Sequence, residues 1–188
     1  MSGQGLVVRP TGLSDRGWVS AFLHERWGAD FVVVHGERIE ATALPALTVE
    51  RRQGLATYRV LGKDAELVTL DAASPGQGVG TALMETLAAT LCGQGFERLW
   101  LTTTNDKLTA LRFYQRRGFR LTQVRVGAVD EARKLKPMIP TVGEHRIAMH
   151  DEIDLCRSLA TGEPRDWLPP WSRNSSASVG VERSVISK

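Results

Sequence analysis

The strongest structural signal in this chain of 188 residues is a glycine-rich segment, P-G-Q-G-V-G-T-A-L (75–83). It follows an apolar run, E-L-V-T-L-D-A-A (66–73), and opens into a helical pattern with apolar residues at every fourth position from Val79 to Leu91. Glycines at such a junction indicate a close backbone approach, because a side chain would block it. The segment predicts either an anion-binding turn at a helix N-terminus or a tight turn that merely packs the helix on the sheet.

Two familiar phosphate-binding patterns do not match this segment. A Walker P-loop has a lysine directly after its last glycine, whereas Thr81 follows Gly80 here. A dinucleotide-binding turn needs a third glycine and a parallel strand before it. That third glycine is absent, and the preceding strand is predicted to form a hairpin, so both patterns are poor fits to this segment.

The hydrophobic patterns predict one mixed α/β domain. Two β-rich runs, 55–61 and 66–72, are separated by G-K-D, which favours a hairpin. The run 98–104 is typical of a strand, and an amphipathic helix at 107–117 ends at Gly118. The other predicted elements are strands at 6–10, 31–36, 38–42, 119–127 and 146–155, helices at 13–27 and 78–95, a helical turn within 128–137, and an ambiguous segment at 44–50.

The domain is predicted to span 1–157, followed by a tail at 158–188 that is rich in Ser, Pro, Gly and Arg. This composition is typical of a mobile tail, and the alternative is a tail packed down by Trp167 and Trp171.

Other features of the sequence bear on the location of the protein, on metal binding and on the charge of its ligand. No run of apolar residues is long enough to span a membrane, and the N-terminus lacks a signal-peptide pattern, which predicts a cytoplasmic protein. Cys92, Cys156 and the four histidines show no metal-ligand spacing, so no bound metal is expected. The net charge of +3 suits an anionic ligand.

Together with N-D-K-L-T-A-L-R-F-Y-Q-R-R-G-F (105–119), the glycine segment resembles the GNAT superfamily of acetyl-CoA-dependent N-acetyltransferases. That family has a loop of form [QR]-x-x-G-x-[GA], then a helix carrying N-x-x-A-x-x-x-Y before a Gly-Phe pair. The resemblance covers about 55–121 and implies a mostly antiparallel central sheet flanked by helices. The matching positions are Gly78, Gly80, Ala110, Tyr114, Gly118 and Phe119.

The resemblance implies acetyl-CoA as co-substrate and assigns its binding residues. The pantetheine arm is expected to pair with the backbone of Leu70, Asp71 and Ala72, at a break in the sheet, with the amide near Leu70 polarising the thioester carbonyl. The residues expected to hold the pyrophosphate are Gln77, Gly78, Val79, Gly80 and Thr81.

Two positions depart from the family pattern. Pro75 stands where the family usually has Gln or Arg, which removes one side-chain contact to phosphate. Lys107 stands where the family usually has Asn, and Asn105 is expected to take over part of that role. Asn105 and Ala110 are thus both expected to contact the co-substrate.

The resemblance also assigns catalytic roles. Tyr114 is the expected general acid for the coenzyme A thiolate. Glu66 is the expected base, because strand alternation places it on one face with Val68 and Leu70. Asp71 points the other way in a regular strand, and a bulge would re-aim it. The structural alternatives are that Tyr114 is a core tyrosine and that Glu66 is a surface carboxylate.

The acceptor is expected between the first helices and the later strands, with Glu25, Trp27, Tyr58 and Glu152 as candidates. Carboxylates there favour a cationic amine. The alternative for D-E-I-D (151–154) is an edge strand whose acids point outward. The predicted activity is direct acetyl transfer to a primary amine of a small molecule. Acetylation of a protein amine or an aminoacyl-tRNA, and a non-catalytic acyl-CoA-binding module, are the alternatives. Neither a membrane nor a nucleic acid is an expected partner, and a homodimer is left open.

Overall fold

The computed structural model describes residues 6–74, 76–160 and 169–171. The helices are α1 (Arg16–Trp27), α2 (Val79–Gly93), α3 (Leu108–Gln115) and α4 (Ala128–Leu135). The strands are β1 (Val8–Pro10), β2 (Phe31–Val34), β3 (Glu37–Glu40), β4 (Ala46–Val49), β5 (Gly54–Leu61), β6 (Asp64–Ala72), β7 (Arg98–Thr104), β8 (Arg120–Arg125) and β9 (Glu152–Ser158).

Seven of these strands form one central sheet in the order β1-β4-β5-β6-β7-β9-β8, and β2 and β3 form a separate hairpin. Among the described strands, β6 and β7 are the parallel pair, and the other pairs are antiparallel. The predicted fold, a mostly antiparallel sheet flanked by helices, is confirmed.

The two faces of the sheet carry different helices. The apolar stripe of α2, including Leu83, Leu87 and Leu91, is fully buried in the main core, and Tyr114 of α3 packs against the same core. The opposite face is covered by α1, whose Phe22 and other apolar residues pack near Leu55 in a second core. The hairpin β2–β3 and α4 lie on this second side, in contact with each other.

The position of β9 corrects the prediction for the last strand. β9 begins at Glu152, not near residue 146, and it pairs with β7 on one side and β8 on the other. Because β8 takes the edge, β9 is internal, and Glu152 and Asp154 are buried. The edge-strand alternative for residues 151–154 is therefore wrong.

The described parts of the predicted tail pack on the domain. Leu159 donates its amide to the Glu97 carbonyl (2.8 Å). The Trp171 ring stacks on His35, with centroids 3.9 Å apart, and meets Trp100 edge-on. Trp167 and the rest of the tail lie outside the described residues. In the described part of the chain, no helix is long and apolar enough to cross a membrane.

Candidate active site

The central sheet opens between its two parallel strands. β6 and β7 pair from Asp64 and Arg98 as far as Leu67 and Leu101. Beyond that point β6 continues to Ala72 and β7 to Thr104 without pairing to each other. The edge of β6 that faces the gap therefore offers backbone N–H and C=O groups to a ligand, as unpaired strand edges do.

A β-bulge on β6 determines which of its side chains point to each face of the sheet. Thr57 pairs with Thr69 while Tyr58 pairs with Leu67, so Val68 is the extra residue. The bulge reverses the alternation beyond it and puts Asp71 on the same face as Glu66. The prediction that Glu66 shares its face with Leu70 is therefore wrong, because it assumed a regular strand.

A cavity of about 970 Å³ occupies the gap and connects the two faces of the sheet. On one side it is lined by Ala110 and Tyr114 of α3, and on the other by Trp27 and the strand β2. Leu70 and Asp71 form part of its wall at the gap itself. Ligands that enter from opposite faces of the sheet can thus meet within one cavity.

Tyr114 brings its phenol to this cavity. Its ring is fixed by edge-on contacts with Phe113 and Phe119, at centroid distances of 5.2 and 5.6 Å. The hydroxyl has no hydrogen-bond partner among the described residues. Burial, with a smaller contribution from the charge of Asp71, raises the pKa of Tyr114 well above its usual value. The phenol therefore stays protonated at neutral pH and can donate its proton.

Asp71 faces the same cavity from β6. Its carboxylate accepts a hydrogen bond of 2.6 Å from the indole Nε1 of Trp27. Burial raises the pKa of Asp71, although the Trp27 hydrogen bond opposes the shift. A carboxylate with a raised pKa, held at the point where the two faces meet, is suited to take a proton from an amine.

Glu66, the expected base, lies elsewhere. Its side chain is 1% exposed and does not line the cavity. The carboxylate accepts hydrogen bonds from Arg59 Nε (2.6 Å) and pairs with His35 Nε2 (2.7 Å). Burial raises the pKa of Glu66, but His35 and Arg59 outweigh it and hold the pKa below its usual value. Glu66 therefore belongs to a buried ion-pair network that also holds the turn between β2 and β3.

The predicted pyrophosphate turn has the geometry that anion binding needs. Gly78 caps α2 with φ +79°, a conformation that favours glycine, and α2 begins at Val79. The amides of the first turn have no partners within the helix. Gly54 allows this close packing, because a Cβ there would lie 2.5 Å from Val79 Cγ1 and 2.8 Å from the Asp71 carbonyl. Pro75 lies outside the described residues.

A residue that the sequence analysis missed, Arg117, lies beside this turn. Its guanidinium donates to Thr81 Oγ1 in the first turn of α2 and to the Phe113 carbonyl (2.8 Å). It also stacks on the Phe113 ring at 3.6 Å. Its Nε is buried without a partner, and no described carboxylate pairs with it. An arginine with spare donors at a helix N-terminus fits a phosphate group.

The structure brings only some of the other candidates to the cavity. Glu25 points to solvent with 72% of its side chain exposed, and Tyr58 packs against the core on the α2 face. Asn105 accepts from the amides of His150 and Asp151 and donates to the Ala148 carbonyl, so it holds that segment. The predicted residues that line the cavity are Trp27, Leu70, Asp71, Ala110, Tyr114 and Glu152, together with Lys107.

The fold and this site define an acyltransferase of the mixed α/β type, and comparison with known proteins gives the family. Residues 54–119 match the model of the acetyltransferase (GNAT) family. The uncharacterized protein YxbD of Bacillus subtilis is 35% identical over 157 residues, which cover 81% of this chain and 98% of YxbD. YdhI of the same organism, also uncharacterized, is 31% identical over 79% of this chain and 95% of YdhI. The chain belongs to the GNAT acetyltransferase family, whose co-substrate is acetyl-CoA.

Solved structures share the fold at low sequence identity. An IAA acetyltransferase from Bacillus cereus superposes with a TM-score of 0.63 at 18% identity, over 82% of this chain and 99% of that one. A Bacillus subtilis acetyltransferase in complex with CoA has a TM-score of 0.60 at 14% identity, over 83% and 100%. The ribosomal-protein-S18-alanine N-acetyltransferase from Escherichia coli has a TM-score of 0.58 at 16% identity, over 87% and 99%. These likenesses confirm the fold and leave the acceptor open.

Proposed function

We propose that this protein is an N-acetyltransferase that transfers an acetyl group from acetyl-CoA directly to a primary amine of a small molecule. The observation that carries the proposal is the cavity through the gap between β6 and β7, which holds Tyr114 on one side and Asp71 with Trp27 on the other. Its volume of about 970 Å³ is in the range of small-molecule sites. A cytoplasmic location remains part of this proposal.

The residues present fit acetyl-CoA. The turn at Gly78, the free amides of α2 and the spare donors of Arg117 suit a pyrophosphate. The unpaired edge of β6 from Leu70 to Ala72 suits an extended amide chain such as the pantetheine arm. When bound, acetyl-CoA supplies an acetyl group activated as a thioester.

Three groups of the protein then act on the reaction. Asp71 takes a proton from the incoming ammonium, so that the neutral amine forms the new C–N bond as the C–S bond breaks. Backbone N–H groups near Leu70 donate to the oxygen that gains negative charge. Tyr114 donates a proton to the departing thiolate. The ammonium loses two protons in becoming an amide N–H. Asp71 takes the first, and the second restores the Tyr114 phenol, whose own proton has passed to the thiolate.

The contacts favour Asp71 over Glu66 as the base. Asp71 lines the cavity, and its pKa is raised, whereas Glu66 is enclosed by Arg59 and His35 and its pKa is lowered. Glu66 then acts as a positioning residue, because it holds the His35 turn against the sheet.

A thiol-release assay tests the proposal. With acetyl-CoA and a panel of amino acids, polyamines, aminoglycosides and peptides, we expect release of free thiol in proportion to an acetylated small amine identified by mass. Tight acetyl-CoA binding without thiol release from any amine would contradict catalysis and favour a binding module. Acetylation confined to peptides or aminoacyl-tRNA would contradict the small-molecule acceptor.

Arg117 offers a separate test of the phosphate site. We expect Arg117→Leu to weaken CoA binding about tenfold, because one charged donor to the pyrophosphate is lost. Isothermal calorimetry at two salt concentrations measures the change, and the salt dependence should fall with the lost charge. The matched control is Arg116→Leu, since Arg116 is exposed beside it. Equal affinities for the two variants would contradict a phosphate contact.

A further inference from the structure

Lys136 places a buried positive charge on the cavity wall. The residue is 6% exposed and follows α4 directly. Its ammonium donates to the carbonyls of Trp27 (2.8 Å) and Phe31 (3.0 Å). The Phe31 ring also lies near it, with its centroid 5.1 Å from Nζ. An ammonium has three N–H donors, and the two carbonyls accept from two of them. No described carboxylate forms an ion pair with it, and burial lowers its pKa.

Buried cations in proteins are normally paired with an anion, so this one needs an explanation. The Trp27 carbonyl at the C-terminus of α1 offsets part of the charge through the helix dipole. Other acidic groups on the wall already have partners and do not pair with Lys136. Glu144 pairs with Lys107 (2.8 Å), Glu152 pairs with Arg125 (2.6 Å), and Asp106 accepts from Thr104 and from the Glu144 amide.

Asp71 is an acidic residue on the same cavity wall. Its carboxylate accepts a hydrogen bond from the Trp27 indole and forms no ion pair with a described cation, although the charges of Arg26 and Lys107 act on it. Trp27 therefore contacts both groups, Asp71 through its side chain and Lys136 through its backbone carbonyl. Apolar side chains line the cavity around them, namely those of Val32, Val34, Val129, Ile139 and Met149.

We propose that the acceptor carries a carboxylate next to its primary amine, as an apolar amino acid does, and that Lys136 binds this carboxylate while the amine faces Asp71. The apolar wall then receives the side chain of the acceptor. This inference rests on the proposed function, because it names the substrate class of the same site.

Matched ligands test the inference on the unaltered protein. Leucine, leucinamide and 3-methylbutylamine share one side chain and differ at the carboxylate, and phenylalanine, phenylalaninamide and phenethylamine form a second set. We expect the amino acid to exceed its amide and its amine by tenfold or more in kcat/KM for thiol release. The same order is expected for the rise in melting temperature that each ligand produces.

Variants then assign the effect to one residue. Lys136→Met is expected to raise KM for the amino acid about tenfold, and to change KM for the decarboxylated amine much less. Calorimetry should give the same CoA affinity as in the unaltered protein. The control is Lys134→Met, since Lys134 lies on α4 with 70% of its side chain exposed.

Other outcomes would contradict the carboxylate site, the role of Lys136 or the proposed function, and these three cases can be told apart. An amide or amine used as well as its amino acid overturns the carboxylate site while the proposed function stands. A folded Lys136→Met protein that keeps the preference overturns the role of Lys136. If no acceptor releases thiol, the proposed function fails, and the melting temperatures with leucine and leucinamide still decide the inference. If Lys136→Met does not fold, the matched ligands decide it alone.

Discussion

Replacing Tyr114 by phenylalanine is expected to lower kcat by between ten- and a hundredfold, with CoA affinity nearly unchanged. The phenol lines the cavity, its raised pKa keeps it protonated, and it has no described partner that would occupy its proton. Removing the hydroxyl leaves the thiolate to be protonated by water, whereas the ring packing against Phe113 and Phe119 remains. Thiol release at saturating substrates and a single-turnover experiment measure the loss.

The second tyrosine of the chain is the matched control. Tyr58 packs against the core on the α2 face and does not line the cavity, so Tyr58→Phe should leave kcat unchanged. Equal single-turnover rates for Tyr114→Phe and the unaltered protein would remove Tyr114 from the mechanism and return it to the role of a core tyrosine.

Replacing Gly78 by alanine is expected to lower CoA affinity at least tenfold. Gly78 has φ +79°, which an alanine adopts at a cost of about 1 kcal/mol, and the added Cβ lies beside the amides of the first turn of α2. Among the described residues, the nearest atom to that Cβ is Leu6 Cδ1 at 3.9 Å, so none of them blocks it. The loss of affinity would therefore come from the altered turn and from the space taken from the ligand. Calorimetry with CoA measures it.

Gly95 provides the control at the other end of the same helix. It has φ +85°, and no atom of the described residues beyond its chain neighbours lies within 4 Å of the Cβ that an alanine would add. Both variants should thus lose about 1 kcal/mol of unfolding free energy in urea, but only Gly78→Ala should lose CoA affinity. Should Gly78→Ala bind CoA as the unaltered protein does, the turn merely packs α2 on the sheet.

Local patterns predicted most of the elements. The apolar repeat of α2 and the run at Arg98–Thr104 each report which face of an element is buried, and that information lies within a few neighbouring residues. The same patterns missed the place of β9, because strand order depends on which distant segments pair. An internal strand between β7 and β8 buries Glu152 and Asp154 with Arg125 as a partner, which alternation alone does not reveal.

The candidate site also contains some residues that local patterns predict and others that only the tertiary structure places. Ala110 and Tyr114 follow from a motif on one helix, and both line the cavity. The base could not be placed in this way, because a bulge of one residue at Val68 reverses the alternation of β6. Lys136 carries no pattern in the sequence, since its partners are carbonyls about a hundred positions earlier in the chain.

The sequence by itself determined the family, the glycine turn at Gly78 and the helix that carries Tyr114, because each depends on residues close together in the chain. Only the tertiary structure decided how these parts meet. The separation of β6 from β7 opens the cavity through the sheet, and the bulge turns Asp71 toward it. The segment after α4 brings Lys136 against Trp27. These are contacts between distant segments, and the free energy of packing the whole domain selects them.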